Sequence, residues 1–249
     1  MDADTSGRLR SFREFAMEKS HFSTNVDCFK IVAFHDVGEI VDARRVCVHR
    51  AGGDEAAGLA AYARIQDDWM ARREAFEDLW HHGRRLVYGA VNAGGMGTPF
   101  GIWCLVADPE QPAANALGVF PDNTARRYAE TSGVADGSRA AGEVTAWADR
   151  AELAVVERGA EAVASADEEW PDVVCGDDRY LEVARAGPWP VAACGEVRMR
   201  AELRARLDEL WAQEETGELL PVDEANEVAA YRVVDAWRKA HATTVTEIQ

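Results

Sequence analysis

Between Arg85 and Phe120 three short β-forming runs follow one another with no helical pattern between them, and this most restricts the fold. Arg85–Asn92, Gly101–Ala107 and Ala116–Phe120 are rich in Val, Leu and aromatic residues, and the first two are separated only by the glycine-rich stretch Ala93–Phe100. A link of that length suits an elaborated hairpin. Because the β segments do not alternate regularly with helices, the expected class is α+β rather than a doubly wound sheet. The expectation is a central, mostly antiparallel sheet with flanking helices in one domain over residues 1–249, closed by a helical hairpin over 200–249.

The remaining periodicity fills in this outline. Ser11–Ser20 reads as a short helix with Phe12, Phe15 and Ala16 on one face. Cys28–Phe34 (CFKIVAF) reads as a strand from its β-branched and aromatic content, followed by a helical turn capped by Asp36, and Arg45–His49 reads as a second short strand. After Gly52–Gly53–Asp54 a long helix is expected to about His82, its core face carrying Tyr62, Ile65, Trp69, Phe76, Leu79 and Trp80. Asp122 is placed as the cap of a helix through Tyr128, and Thr131–Arg139 as loop. Glu143–Ala166 has helical composition, while Leu153–Val156 also fits a short buried strand, and periodicity leaves both open. Val191–Met199 reads as a strand. Ala201–Gln213 and Asp223–Lys239 read as helices with apolar stripes that include Leu207, Leu210, Val234 and Trp237.

At 249 residues with eight tryptophans the chain can bury a sizeable core, and no repeat or low-complexity linker divides it. No run of eighteen apolar residues occurs and the first residues are polar, so a cytoplasmic protein without a membrane span is expected. Five scattered cysteines suit reduced, buried thiols better than a disulfide framework. The net charge of −17 is uneven, since Met1–Arg85 holds 13 basic and 15 acidic residues and the rest holds 14 and 29. That field disfavours general binding to nucleic acid.

Several constellations invite chemistry and yield to simpler readings. Cys28, His35, Cys47 and His49 lack zinc spacing, so no metal is expected. His81 and His82 suit a helix end. The glycine run Asn92–Gly101 leads into a strand instead of opening a helix, and it lacks a Gly-Lys-Ser/Thr ending, so a mobile lid fits better than a phosphate cradle. No G-x-S-x-G elbow is present. Among 44 acidic residues, the pairs Asp67–Asp68, Glu168–Glu169 and Asp177–Asp178 read as solvated surface.

One combination points further. Phe29-Lys-Ile-Val-Ala-Phe-His35-Asp-Val-Gly-Glu-Ile40 resembles the first strand and turn of ADP-ribosyltransferases of the DarT-like group, in which an apolar strand delivers a His. Asp149-Arg-Ala-Glu152-Leu-Ala-Val-Val156 resembles that group's later motif with its catalytic Glu, and Pro188–Trp189 its closing section. The chain departs from the pattern in a longer insertion between Val156 and Pro188 and in a loose match, at Tyr88 or Phe100–Trp103, to the aromatic strand before the loop. The resemblance implies an enzyme that uses NAD as substrate and modifies a macromolecular acceptor. Glu152 would stabilise the oxocarbenium-like transition state formed as the nicotinamide–ribose bond breaks, with Glu143 in reserve. His35 would hold the ribose or the amide-bearing half of NAD, Tyr88 would stack on the nicotinamide, and Arg44 or Arg45 would meet the pyrophosphate, with Asn92 a further cofactor contact. Two other readings stand beside it. One is a non-catalytic regulatory module that offers the acidic face of Ala201–His241 to a basic protein, and the other is a small-molecule enzyme with the glycine loop over an apolar pocket.

Overall fold

The computed structural model describes residues 3–66, 69–81, 83–108, 116–176 and 179–248. The expectations made for Asp67–Asp68, His82 and Asp177–Asp178 fall outside these residues.

The first third is mostly helical, and local capping explains why. Helix α1 (Ala3–Lys19) leads into strand β1 (His21–Val26). The next segment, expected as a strand, is helix α2 (Cys28–Val37). Asp27 accepts a hydrogen bond from the Lys30 N–H at 2.9 Å, and Gly38 ends the helix with φ +74°, so both termini are satisfied while Ile31, Ala33 and Phe34 are buried. Asp36, expected as a cap, therefore lies inside α2. A two-residue strand, β2 (Glu39–Ile40), precedes α3 (Ala43–Arg50), the second segment expected as a strand. Here Asp42 accepts from the N–H groups of Arg44 and Arg45 at 3.0 and 3.1 Å. The apolar, β-branched content that suggested strands is overruled in both places by a preceding Asp, which stabilises the helix start.

The long helix expected to His82 is described as α4 (Glu55–Gln66) and α5 (Trp69–Glu77). Strands β3 (Leu86–Asn92), β4 (Trp103–Ala107) and β5 (Ala116–Phe120) follow where they were expected. Helix α6 (Thr124–Tyr128) is capped by Asn123, not Asp122, and part of the segment read as loop forms α7 (Gly137–Glu143). Leu153–Val156 resolves as helix, within α8 (Arg150–Ala164). Helix α9 (Trp170–Val174), β6 (Glu182–Ala186), the two-residue β7 (Trp189–Pro190), β8 (Cys194–Arg200), α10 (Ala201–Glu215), α11 (Val222–His241) and β9 (Thr244–Ile248) complete the chain.

Seven strands form one sheet in the order β5-β6-β3-β1-β4-β8-β9, all pairs antiparallel except β8 with β9, and the class is α+β. Strands β3 and β4 do not make the expected hairpin, because β1 lies between them and is antiparallel to both. The glycine-rich connection must therefore run the length of β1, and it does so at contact distance. Asn25 on β1 donates to the carbonyl of Met96 at 2.8 Å and accepts from the Thr98 N–H at 2.9 Å. A Cβ on Gly101 would sit 2.3 Å from the Val26 backbone, and one on Gly97 (φ +79°) would sit 2.4 Å from the Asn25 Oδ1. The glycines allow this approach. The loop is thus strapped down, in place of the mobile lid expected.

One sheet face carries the main core, where Phe22, Val91, Leu105 and Val197 meet residues of α1, α2, α8 and α11. The opposite face carries a smaller cluster in which Phe76 and Tyr128 pack on Leu86, Phe120 and Ala184. Among the described residues no helix is long and apolar enough to cross a membrane.

Candidate functional site

The two neighbours of β1 share it unequally. Pairing with β3 covers only His21–Ser23, while pairing with β4 covers Ser23–Val26. Past Ser23, β3 continues with β6 alone, and the sheet opens into a fork. The Thr24 hydroxyl bridges it by donating to the Tyr88 carbonyl at 2.8 Å. At the closed end the strands come so near that a Cβ on Gly89 would lie 2.0 Å from the Ser23 carbonyl oxygen.

A cavity of about 660 Å³ occupies the fork. Strand residues Thr24, Asn25, Tyr88 and Glu182 form its floor, while Arg44 and Tyr62 come from α3 and α4. Trp69, Arg73 and Glu77 come from α5 at successive i, i+4 positions, which places them in one line on one helix face. That line runs inward, from Trp69, 45% exposed, to Glu77, 2% exposed. Thr98 and Phe100 bring the glycine loop to the wall.

The walls are charged as well as aromatic. Glu77 accepts a hydrogen bond from the Tyr88 hydroxyl at 3.3 Å and pairs with the Arg44 guanidinium at 2.6 Å. Arg44 also lies over the Tyr62 ring at 4.7 Å. Glu182, 3% exposed, accepts from the Thr124 N–H and hydroxyl at 2.6 and 2.5 Å. Burial pushes the Glu182 carboxyl above its ordinary range, against the pull of Arg73 and Thr124. Burial likewise raises the Tyr62 phenol to about 12. Arg73 stacks on the Tyr88 ring at 3.8 Å, and its Nη1 is buried without a hydrogen-bond partner. A buried guanidinium nitrogen left unsatisfied in a cavity wall is costly, and such groups concentrate where a ligand completes them.

The residues named from sequence distribute unevenly around this cavity. Arg44 and Tyr88 line it. Asn92 is fully buried at the end of β3, where it accepts from the Gly94 N–H, donates to the Gly95 carbonyl and receives Arg198 at 3.2 Å, so it anchors the loop. Arg45 is exposed and pairs with Glu39 at 3.4 Å. His35 sits on α2, outside the cavity walls, and its Nδ1 accepts from the Trp237 indole at 3.1 Å. Glu152 lies in the first turn of α8, its side chain 45% exposed and paired with Arg13 from α1. The structure does not bring His35 and Glu152 into this cavity. Glu143 is bound to Arg127, Arg139 and Tyr128. Among the described residues no group of three or more His, Cys, Asp or Glu side chains could hold a metal ion.

Sequence reasoning missed Arg73, Glu77 and Glu182. The first two carried a usable signal, since the Trp69-Arg73-Glu77 spacing sets charge on a helix face otherwise read as core. Glu182 carried none, because it lies on a strand whose sequence, EVARA, is poor in β-formers. Comparison with known proteins gives no match to a family model, a curated protein or a solved structure.

Proposed function

We propose that the protein takes a small organic molecule into the fork cavity and exchanges a proton with it through Glu182. The observation that carries this reading is the composition of the walls. Two nearly fully buried carboxylates and a guanidinium nitrogen without a partner surround a volume within the range of small-ligand sites. Burying charge costs several kcal/mol per ion in round terms, so a purely structural pocket would be expected to carry apolar side chains there. Burial lifts the Glu182 carboxyl above the ordinary carboxylate range, so it holds a proton more readily than an exposed acid, as a general acid does.

NAD is the first compound to try, because Tyr88 and Arg44 line this cavity and Glu182 offers within it the carboxylate that nicotinamide–ribose cleavage requires. A thermal-shift screen of small metabolites, NAD included, with wild type and Ala43→Trp tests the reading. Ala43 is a partly exposed residue of the cavity wall, and a tryptophan there is placed to take up cavity volume. Ligands should stabilise wild type and not Ala43→Trp, while Glu182→Gln should bind them without turnover. With NAD, nicotinamide release should disappear in Glu182→Gln and persist in Glu152→Ala. Equal stabilisation of wild type and Ala43→Trp by every ligand found would refute the cavity as the site.

A further inference from the structure

We infer that the molecule bound in the fork is a flat-ring carboxylic acid, its carboxylate meeting Arg73 and its ring lying against Trp69. The inference rests on the cavity reading above, not on NAD as its occupant, and names for that site a ligand class that competes with NAD. Three observations carry it.

The first is an unfilled donor. The other cations of the walls are engaged, with Lys30 facing Asp27 at 3.6 Å, Arg44 bound to Glu77, and Arg126 bound to Asp122 at 2.7 Å. Arg73 has no ion pair among the described residues. Its guanidinium lies over the Tyr88 ring in the cavity wall, where a planar acceptor can meet it, and its buried Nη1 has no hydrogen-bond partner.

The second is the distribution of charge around that edge. Glu77 and Glu182 both act electrostatically on Arg73 and lie in the same walls. With Arg44 paired to Glu77, Glu182 alone is left to oppose Arg73, so the walls balance and one added negative charge meets less repulsion from the two carboxylates than a dianion such as a phosphate monoester.

The third is the aromatic surface one helical turn away. Trp69 stands four residues before Arg73 on α5, and Phe100 faces the same cavity from the glycine loop. Both are unusually open to solvent for their size, Trp69 at 45% and Phe100 at 60%. A ring packed on this exposed aromatic surface removes apolar area from water. With the ring at the mouth and the acid one turn deeper, the ligand follows the Trp69-Arg73 line inward.

Calorimetric titration of the full chain with benzoate, benzamide and phenyl phosphate tests the inference. A charge-assisted hydrogen bond of about 1.5–3 kcal/mol predicts that benzoate binds at least about tenfold more tightly than its neutral isostere benzamide. Arg73→Gln should remove that preference and leave benzamide binding unchanged, and Arg73→Lys, which keeps the charge without the planar edge, should retain part of it. Trp69→Ala should weaken both ligands. The assignment is overturned if benzoate fails to bind, if benzoate and benzamide bind alike, if both Arg73 variants keep the full preference, or if phenyl phosphate binds more tightly than benzoate. If instead benzoate binds Ala43→Trp as well as it binds wild type, the cavity reading itself falls.

Discussion

Glu143 gathers three donors, Arg127 and Tyr128 from the α6 helix and Arg139 from α7, at 2.5, 2.9 and 2.9 Å. The Arg127 contact chiefly, with Arg139 and Tyr128, holds its carboxyl down at about 2, below the ordinary 4.5. A depressed carboxyl contributes stability that is fully present above the unfolded value and is lost as pH falls through the folded one. Glu143→Gln should therefore cost about 1–2 kcal/mol at pH 7 after allowance for solvent screening, and the gap to wild type should close between about pH 4.5 and pH 2. Urea unfolding of both proteins at pH 7 and near pH 2.5 reads the gap, and an equal difference at the two pH values would refute it. Glu143 was read from the sequence as a reserve carboxylate for catalysis and not as an ion-pair hub, because nothing in its immediate neighbours reveals that Arg127, sixteen positions away, closes on it. Arg44 and Tyr88 were identifiable as candidates, yet the partners that give them meaning, Glu77 and Arg73, come from a helix whose face was assigned wholly to the core.

At the scale of the element, the helical segments at both ends of the chain and the runs β3 to β5 were readable from period and composition. The segments α2 and α3 were not. Their residues favour strands, but Asp27 and Asp42 each satisfy amide groups at the first turn, and a helix start supplied with its acceptor outweighs a modest β preference. This argument predicts that Asp27→Ala destabilises the protein by about 1 kcal/mol through loss of the cap, whereas Asp27→Asn or Asp27→Ser, which retain a capping oxygen, should cost a few tenths. Chemical denaturation of the three variants decides the point. Equal losses for all three would mean that the side chain acts through its contact with Lys30 at 3.6 Å and not as a cap. Strands β1 and β6 were missed for the opposite reason. HFSTNV and EVARA hold polar or helix-favouring residues, and what makes them strands is burial between neighbours distant in sequence.

For the whole molecule, the decisive feature is that β1, near the start of the chain, enters between β3 and β4, which sequence alone joins as a hairpin. This insertion makes the glycine loop long, lays it over β1, and divides the sheet into the ladders β5-β6-β3 and β1-β4-β8-β9, joined at only three residue pairs. The site lies where the ladders part, so no single segment of sequence could reveal it. The main core runs under both ladders, with Val91, Val119 and Val183 beside Phe22 and Leu105, while the smaller aromatic cluster around Phe76 backs the β5-β6-β3 ladder on the opposite face. Gly89 sits at the join, and the Cβ of Gly89→Ala would approach the Ser23 carbonyl oxygen to 2.0 Å and the Phe22 ring to 2.7 Å. Relief requires the ladders to move apart, at a cost of about 1–3 kcal/mol typical of overpacking. Native-state hydrogen exchange should show the amides of β3 and β6 exchanging faster in Gly89→Ala, with those of β4 and β8 changed much less. A uniform acceleration across all four strands would mean that the sheet opens as one unit and that the fork is not a mechanical boundary.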